Sequence, residues 1–88
     1  MTHSYVDGNA LAGPLRELFA VEVTGAVLRC AGCHRTGPLA GLHVYARAPG
    51  LVARCPGCQA VMLRLVRTPT RVHLDLSGTL GFAVPLPA

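Results

Sequence analysis

The sequence predicts a small, metal-binding, mainly β protein with one N-terminal helix. Its four cysteines form two Cys-x-x-Cys pairs, Cys30-Ala-Gly-Cys33 and Cys55-Pro-Gly-Cys58. The residues between the pairs, 34–54, read as a β-hairpin, which would bring the second pair back opposite the first. This spacing is typical of a tetrahedral site with four thiolate ligands. The fold class that follows is a zinc-ribbon-like antiparallel sheet.

Composition supports a metal-stabilised domain. The chain has 88 residues, a size at which stability is marginal without additional support. Hydrophobic residues make up 51% and charged residues 14%, so the chain is too apolar to be disordered. Some of the apolar surface is therefore expected to form an interface, and a homo-oligomer is one of the options.

The sequence has no run of about 20 apolar residues and no basic N-terminal region followed by an apolar core. We therefore expect no membrane contact and a cytoplasmic location. Without a secretion signal, paired Cys-x-x-Cys motifs favour a metal over disulfides.

The basic charge is smaller than it first seems. All eight basic residues are arginines, and the formal net charge is +4. Four thiolates and one divalent cation together carry −2, so the net charge of the metal-loaded chain falls to +2. The excess of basic residues alone is therefore weak evidence for a nucleic-acid partner.

The N-terminal region divides into a flexible segment, 1–6, and a helical segment, 7–20. Asp7 is the expected helix N-cap, followed by an apolar stripe. Gly13-Pro14 interrupts the pattern and predicts a kink or a late helix start. The stripe consists of Leu11, Leu15, Leu18 and Phe19.

The zinc-ribbon-like domain is expected to span 21–78. A strand over Val21–Arg29, with a bulge at Gly25, leads into the first cysteine pair. Thr36-Gly37-Pro38 predicts a turn, and 39–47 a second strand. Pro49 and Gly50 are then expected at the two central positions of a type II turn.

Two further strands are predicted on either side of the second cysteine pair, at Leu51–Arg54 and Ala60–Thr68. In the latter, Val61, Leu63 and Leu65 would share one face, and Met62, Arg64 and Val66 the other. Strict alternation over 71–77 predicts another strand, with Val72, Leu74 and Leu76 facing the core. The Pro-containing C-terminal tail, 79–88, is expected to leave the sheet and to fray or dock on a partner.

The predicted metal ligands are Cys30, Cys33, Cys55 and Cys58. A closed shell of four protein ligands leaves no position for water or substrate, so the site would be structural. Backbone N–H groups of Gly32, Cys33, Gly57 and Cys58 are expected to donate to the sulfurs. His34 is a poor fifth ligand, because a residue adjacent to a ligand normally points away from the ion.

Zinc is the expected metal, with iron as the alternative. Cys55-Pro-Gly-Cys58 resembles the second knuckle of rubredoxins, which hold one iron on four cysteines and carry electrons. Rubredoxins usually have Gly after each second cysteine and aromatic residues over the metal. Here His34 and Gln59 follow the cysteines, and the chain has four aromatic residues in total. This departure favours zinc, although sulfur ligation alone does not separate the two metals.

We expect no enzymatic activity. The four histidines are scattered, and no acid lies at a spacing typical of a base and its orienting partner. The flanks of both cysteine pairs read as strands, whereas a thioredoxin-type motif needs a helix N-terminus.

Arg29, Arg35 and Arg54 flank the cysteine pairs and are candidate contacts for an anion or an acidic partner. The alternative is that they only solvate an apolar domain. Aromatic stacking platforms are sparse in the sequence, with Tyr45 as the one aromatic residue expected within a strand. Nucleic-acid binding therefore stays an alternative without specificity determinants.

Taken together, the chain resembles a family of short bacterial zinc-ribbon-like proteins of unknown function. The likeness is carried by Asp-Gly-Asn-Ala-Leu-Ala-Gly at residues 7–13, by both cysteine pairs and by the segment 45–50. It implies a zinc ribbon behind a helical segment. Such proteins are expected near genes for molybdenum- and flavin-dependent oxidoreductases, which would imply a protein partner. The predicted function is a zinc-binding accessory or protein-interaction module, with an oxidoreductase as the candidate partner.

Overall fold

The computed structural model of the protein describes residues 5–16, 23, 25–47 and 50–86. The strands within them are β1 Val6–Asp7, β2 Val27–Cys30, β3 Thr36–Pro38, β4 His43–Arg47, β5 Gly50–Arg54, β6 Val61–Arg67, β7 Val72–Asp75 and β8 Thr79–Ala83. They form two antiparallel sheets, one of five strands in the order β1-β4-β5-β6-β7 and one of three in the order β3-β2-β8. The described residues also contain an α-helix, α1, at Ala12–Arg16.

The buried side chains form one core drawn from both sheets and from the N-terminal helical segment. Two of the four predicted helix-stripe residues, Leu11 and Leu15, are fully buried in it. The other two, Leu18 and Phe19, lie outside the described residues. The core consists of Leu11, Leu15, Val23, Ala26, Leu28, Cys30, Leu39, Leu42, Val44, Ala53, Cys55, Met62, Leu63 and Leu65.

The predicted N-cap and late helix start are both present. The Asp7 carboxylate accepts a hydrogen bond of 3.0 Å from the Asn9 backbone N–H and caps a 3₁₀ turn over Gly8–Leu11. The α-helix begins only at Ala12, so Pro14 falls in its first turn, where a missing N–H costs no helical hydrogen bond.

The strand expected over Val21–Arg29 is shorter, and Gly25 lies in a turn instead of a bulge. β2 begins at Val27, after a turn in which the Ala26 N–H donates to the Val23 carbonyl at 2.9 Å. The prediction of a turn at Thr36-Gly37-Pro38 was wrong. These residues form β3, because β2 supplies them with backbone partners, and the chain turns afterwards in a 3₁₀ segment, Leu39–Gly41.

The central hairpin is present, but Gly50 plays a different part in it from the one predicted. Gly50 is paired with Arg47 as the first residue of β5, and no described glycine has a positive φ. The loop residues 48–49 lie outside the described part of the chain. A Cβ at Gly50 would come 2.4 Å from the Leu65 carbonyl oxygen, so this position requires glycine for close strand packing.

The predicted faces of β6 hold at its centre and fail near the second cysteine pair. Leu63 and Leu65 are buried and Arg64 is exposed, in line with the alternation. Met62, predicted to share the face of Arg64, is 2% exposed. The pairing of β5 with β6 shifts register between Ala53 and Arg54, which breaks the alternation there.

The largest correction concerns the C-terminal region, where residues 79–83 form a strand inside the fold. β8 pairs antiparallel with β2, placing Thr79 opposite Cys30 and Phe82 opposite Leu28. The prolines that argued against a strand begin only at Pro85, so Thr79–Ala83 keeps every backbone donor. The boundary predicted after Gly78 therefore cuts through the three-stranded sheet.

No helix within the described residues is long and apolar enough to cross a membrane.

Candidate metal centre

Each cysteine pair occupies a tight backbone knuckle at the end of a strand. The first knuckle, residues 29–35, begins at the end of β2, and the second knuckle, residues 54–60, begins at the end of β5. In the first, the Cys30 N–H donates to the Arg35 carbonyl at 2.9 Å. In the second, the Cys55 N–H donates to the Ala60 carbonyl at the same distance. The two knuckles thus share one hydrogen-bonding pattern.

In both knuckles the residue after the second cysteine, here called the exit residue, lies in the left-handed region of backbone conformation. His34 has φ 65° and Gln59 has φ 64°, and they are the only described non-glycine residues with positive φ. Their N–H groups donate to the carbonyls of Cys30 and Cys55, each at 2.9 Å. Glycine would adopt this conformation with less strain. His34 and Gln59 therefore occupy backbone positions typical of glycine.

The four predicted ligands come together in space. Their sulfurs all lie within 4.8 Å of one another. The Sγ–Sγ distance is 3.7 Å for Cys30 with Cys58 and also for Cys33 with Cys55. A regular tetrahedron with Zn–S bonds of about 2.3 Å has an edge of about 3.8 Å. All four cysteines are free, so the disulfide alternative does not apply.

The sulfurs divide into an inner and an outer pair. Cys30 and Cys55, the first cysteine of each knuckle, are buried, whereas Cys33 and Cys58 are exposed. This follows from their places in the chain, since the buried ones lie at strand ends that enter the core and the exposed ones lie in the turns. An ion among these sulfurs would thus join the core to the surface.

Two of the four expected backbone donors point at the sulfurs. The N–H groups of Gly32 and Gly57 each donate over 3.3 Å, to Sγ of Cys30 and of Cys55 respectively. Both glycine positions are tight for a side chain, because a Cβ would lie 3.2 Å from Ala60 Cβ at Gly32 and 3.1 Å from Arg35 Cδ at Gly57.

The metal-free thiols differ in acidity. Burial raises the pKa of Cys30, but the N–H groups of Cys33 and Gly32 and the neighbouring thiols outweigh it and lower that pKa to about 7. The Ala60 N–H lowers the pKa of Cys58, yet desolvation and three nearby sulfurs outweigh it and raise that pKa to about 11. Of these two thiols, Cys30 is therefore the more readily ionised, and a bound cation would favour the thiolate form of both.

His34 is exposed and is not part of the four-residue cluster, in line with its rejection as a fifth ligand. Two of the three candidate arginines lie in strands, one in each sheet. Arg29 is on β2 opposite Thr36, and Arg54 is on β5 opposite His43. Arg35 crosses to the second knuckle, where its Cδ lies 3.1 Å from the place a Cβ would take at Gly57.

Sequence analysis missed a group of aromatic rings beside the second knuckle. Tyr5 stacks on His43 with ring centroids 4.0 Å apart, and it contacts Tyr45 at 5.6 Å. The Arg54 guanidinium lies 6.0 Å from the centre of the Tyr45 ring. The alternation of His43 and Tyr45 could have indicated a shared face. Tyr5, in a segment expected to be flexible, gave no signal because it is placed by the adjacent strand β1, which forms only through pairing with β4.

The fold and the site together define a small, mainly β protein with a four-cysteine cluster suited to one metal ion. The chain belongs to a family of unknown function, DUF6510, whose model matches residues 2–87. This agrees with the expected membership in an uncharacterised family. No curated protein and no solved structure matches the chain.

Proposed function

We propose that the protein binds one Zn²⁺ through Cys30, Cys33, Cys55 and Cys58 as a structural ion, and that the resulting zinc ribbon acts as a binding module without catalytic activity. The observation that carries this proposal is the pair of 3.7 Å sulfur distances, which match the edge of a tetrahedral zinc–thiolate site. Four protein ligands complete the coordination of the ion and leave no open position for chemistry.

We propose zinc over iron, although only one of the two sequence arguments for zinc still applies. The absence of glycine after each second cysteine no longer counts, since His34 and Gln59 adopt the conformation that glycine would provide. The scarcity of aromatic residues still favours zinc. Metal analysis of protein purified without added metal tests the choice: about one zinc per chain and a colourless solution are expected. A red, redox-active protein with stoichiometric iron would instead establish the electron-carrier alternative.

Cobalt substitution tests the geometry separately from metal identity. Co²⁺ in a tetrahedral four-sulfur site gives strong visible absorption and sulfur-to-metal charge transfer. Loss of these bands in Cys58→Ser, with retention in Ala31→Ser, would support the four proposed ligands. Equal bands in both variants would contradict them.

The proposed partner is another protein, for which an oxidoreductase is the class that the family resemblance implies. Support comes from the surface, where five large apolar or aromatic side chains of the described residues are more than two-fifths exposed: Tyr5, Val6, Val27, Leu80 and Leu86. These side chains supply apolar area that a protein partner could bury. Copurification of the tagged, zinc-loaded chain, followed by reconstitution from purified components, tests the partner class.

Nucleic acid stays the second candidate because of the Tyr5, His43 and Tyr45 rings beside Arg54, which resemble the parts of a stacking platform. Binding to a single-stranded oligonucleotide that weakens steeply with added salt would favour this candidate.

A further inference from the structure

One exposed face of the five-stranded sheet is organised around Arg54. In an antiparallel pair, residues directly opposite each other point to the same side of the sheet. The register places Asp7, His43 and Arg54 in one row across β1, β4 and β5. We call Tyr5, His43, Tyr45, Arg54 and Gln59 the aromatic–arginine face.

Contacts within the aromatic–arginine face hold its side chains in place. Arg54 Nη1 donates to the Gln59 carbonyl at 2.8 Å, and the Gln59 side-chain amide meets His43 Nδ1 at 3.4 Å. The His43 ring in turn stacks against the Tyr5 ring. Tyr5 remains 46% exposed. Side chains fixed in this way lose little entropy on binding, and Tyr and Arg are the residue types enriched at interface hot spots.

The charges on this face favour one anionic group over a chain of phosphates. The second row across the sheet is Tyr45, Val52, Arg64 and Asp75. In it the charge of Arg64 is offset by Asp75, whose pKa is lowered mainly by the Ser77 N–H and also by Arg64. Asp7 closes the first row at its other end. The two rows together hold two arginines and two carboxylates, so their formal charges cancel, which favours a single anionic group at Arg54 over a phosphate backbone running across the strands.

We propose that the aromatic–arginine face binds a protein segment that presents one carboxylate to Arg54 and an apolar or aromatic side chain to Tyr5 and Tyr45. A guanidinium has five donors, and the bond to the Gln59 carbonyl uses one of them, so its planar group suits a carboxylate. The proposal rests on the proposed role as a binding module and names the surface and the chemistry of its partner.

The test uses the full-length protein as purified and two short probe peptides, acetyl-Phe-Glu-Phe-amide and its uncharged counterpart acetyl-Phe-Gln-Phe-amide. Both tyrosines of the chain belong to this face and there is no tryptophan, so tyrosine fluorescence and NMR signals report on it directly. We expect the Glu peptide to shift the Tyr5, His43 and Tyr45 signals and to bind about tenfold more tightly than the Gln peptide, as one charge-assisted hydrogen bond provides.

Three variants locate the binding. Arg54→Gln should remove the preference for the Glu peptide, whereas Arg29→Gln, the matching position before the first knuckle, should keep it. Tyr5→Ala should weaken both peptides alike while leaving the preference, and it keeps the test valid if Arg54→Gln disturbs the second knuckle.

Equal binding of the two peptides, shifts confined to other surfaces, or tighter binding of single-stranded oligodeoxythymidylate would overturn the proposal. Metal analysis of the same sample keeps the two proposals apart. A zinc-loaded, folded chain that ignores the Glu peptide contradicts only the surface proposal, and a folded chain without zinc contradicts only the structural-ion proposal.

Discussion

The two knuckles have the same backbone and different surroundings. In each, the first cysteine is buried, the second is exposed, the glycine donates to sulfur and the exit residue has a positive φ near 65°. The residue after each exit residue lies close to the glycine of the other knuckle. The Ala60 methyl lies 3.2 Å from the place of a Cβ at Gly32, and Arg35 Cδ lies 3.1 Å from that at Gly57.

The difference lies in what each knuckle connects to. The first lies beside the C-terminal strand β8, since the Ala31 N–H donates at 3.0 Å to the carbonyl of Gly78, the residue before β8. The second reaches the aromatic–arginine face through Arg54 and Gln59. The comparison indicates that the local sequence builds the same cysteine knuckle twice, whereas within the described residues the aromatic–arginine face adjoins the second knuckle.

Removing one ligand is expected to have the largest effect, and the same effect in either knuckle. Cys30→Ser and Cys55→Ser should each lose metal and fold together. Zinc binding by structural thiolate sites is worth on the order of 10 to 16 kcal/mol, which is as large as the entire net stability of most domains, roughly 5 to 15 kcal/mol. Zinc content and far-UV circular dichroism check this. A well-folded, metal-free Cys55→Ser would show that the core suffices alone.

Replacing the glycine of each knuckle with alanine should destabilise the two knuckles by different amounts. Gly32→Ala would press on the Ala60 methyl, which cannot move without the backbone, and should cost about 1 to 3 kcal/mol. Gly57→Ala meets the flexible Arg35 side chain and should cost less than about 1 kcal/mol. Thermal unfolding of the zinc-loaded variants measures both. A larger loss at Gly57 would mean that Arg35 is rigidly held.

Replacing the exit residues with glycine should stabilise the protein. His34→Gly relieves a left-handed non-glycine residue and is expected to gain about 0.5 to 1 kcal/mol, after the entropic cost of glycine. Gln59→Gly should gain less, because it also loses the contact with His43. Urea unfolding of the two variants gives the comparison, and a gain at Gln59 that equals the one at His34 would show that this contact contributes nothing.

The smallest expected change in stability comes from replacing the arginine that precedes each cysteine pair. Arg54→Ala removes the hydrogen bond to the Gln59 carbonyl and should cost about 0.5 kcal/mol, since the bond is solvent-accessible. Arg29→Ala, an exposed change on β2, should stay within about 0.5 kcal/mol of zero. Chemical unfolding at matched zinc concentration checks both values. A greater loss for Arg29 would reverse the proposed asymmetry.

The C-terminal strand and the aromatic–arginine face show where sequence reasoning failed. Thr79–Ala83 shows little alternation of charged or polar with apolar residues that would indicate a strand. Its partner β2 lies about 50 residues earlier in the chain. Tyr5 likewise finds its place only when β1 pairs with β4. Both depend on long-range pairing, which local pattern does not encode.

What the sequence determined by itself is the four-cysteine cluster, the central hairpin and Asp7 as a helix cap. Each depends on residues close in the chain, where spacing and backbone preference restrict the conformation. Tertiary structure alone decided that the chain forms two sheets, that Gly50 is needed for strand contact instead of for a turn, and that Tyr5 joins Arg54 beside the second knuckle. These outcomes follow from packing between distant segments, because burial and strand pairing there outweigh the local preferences of each segment.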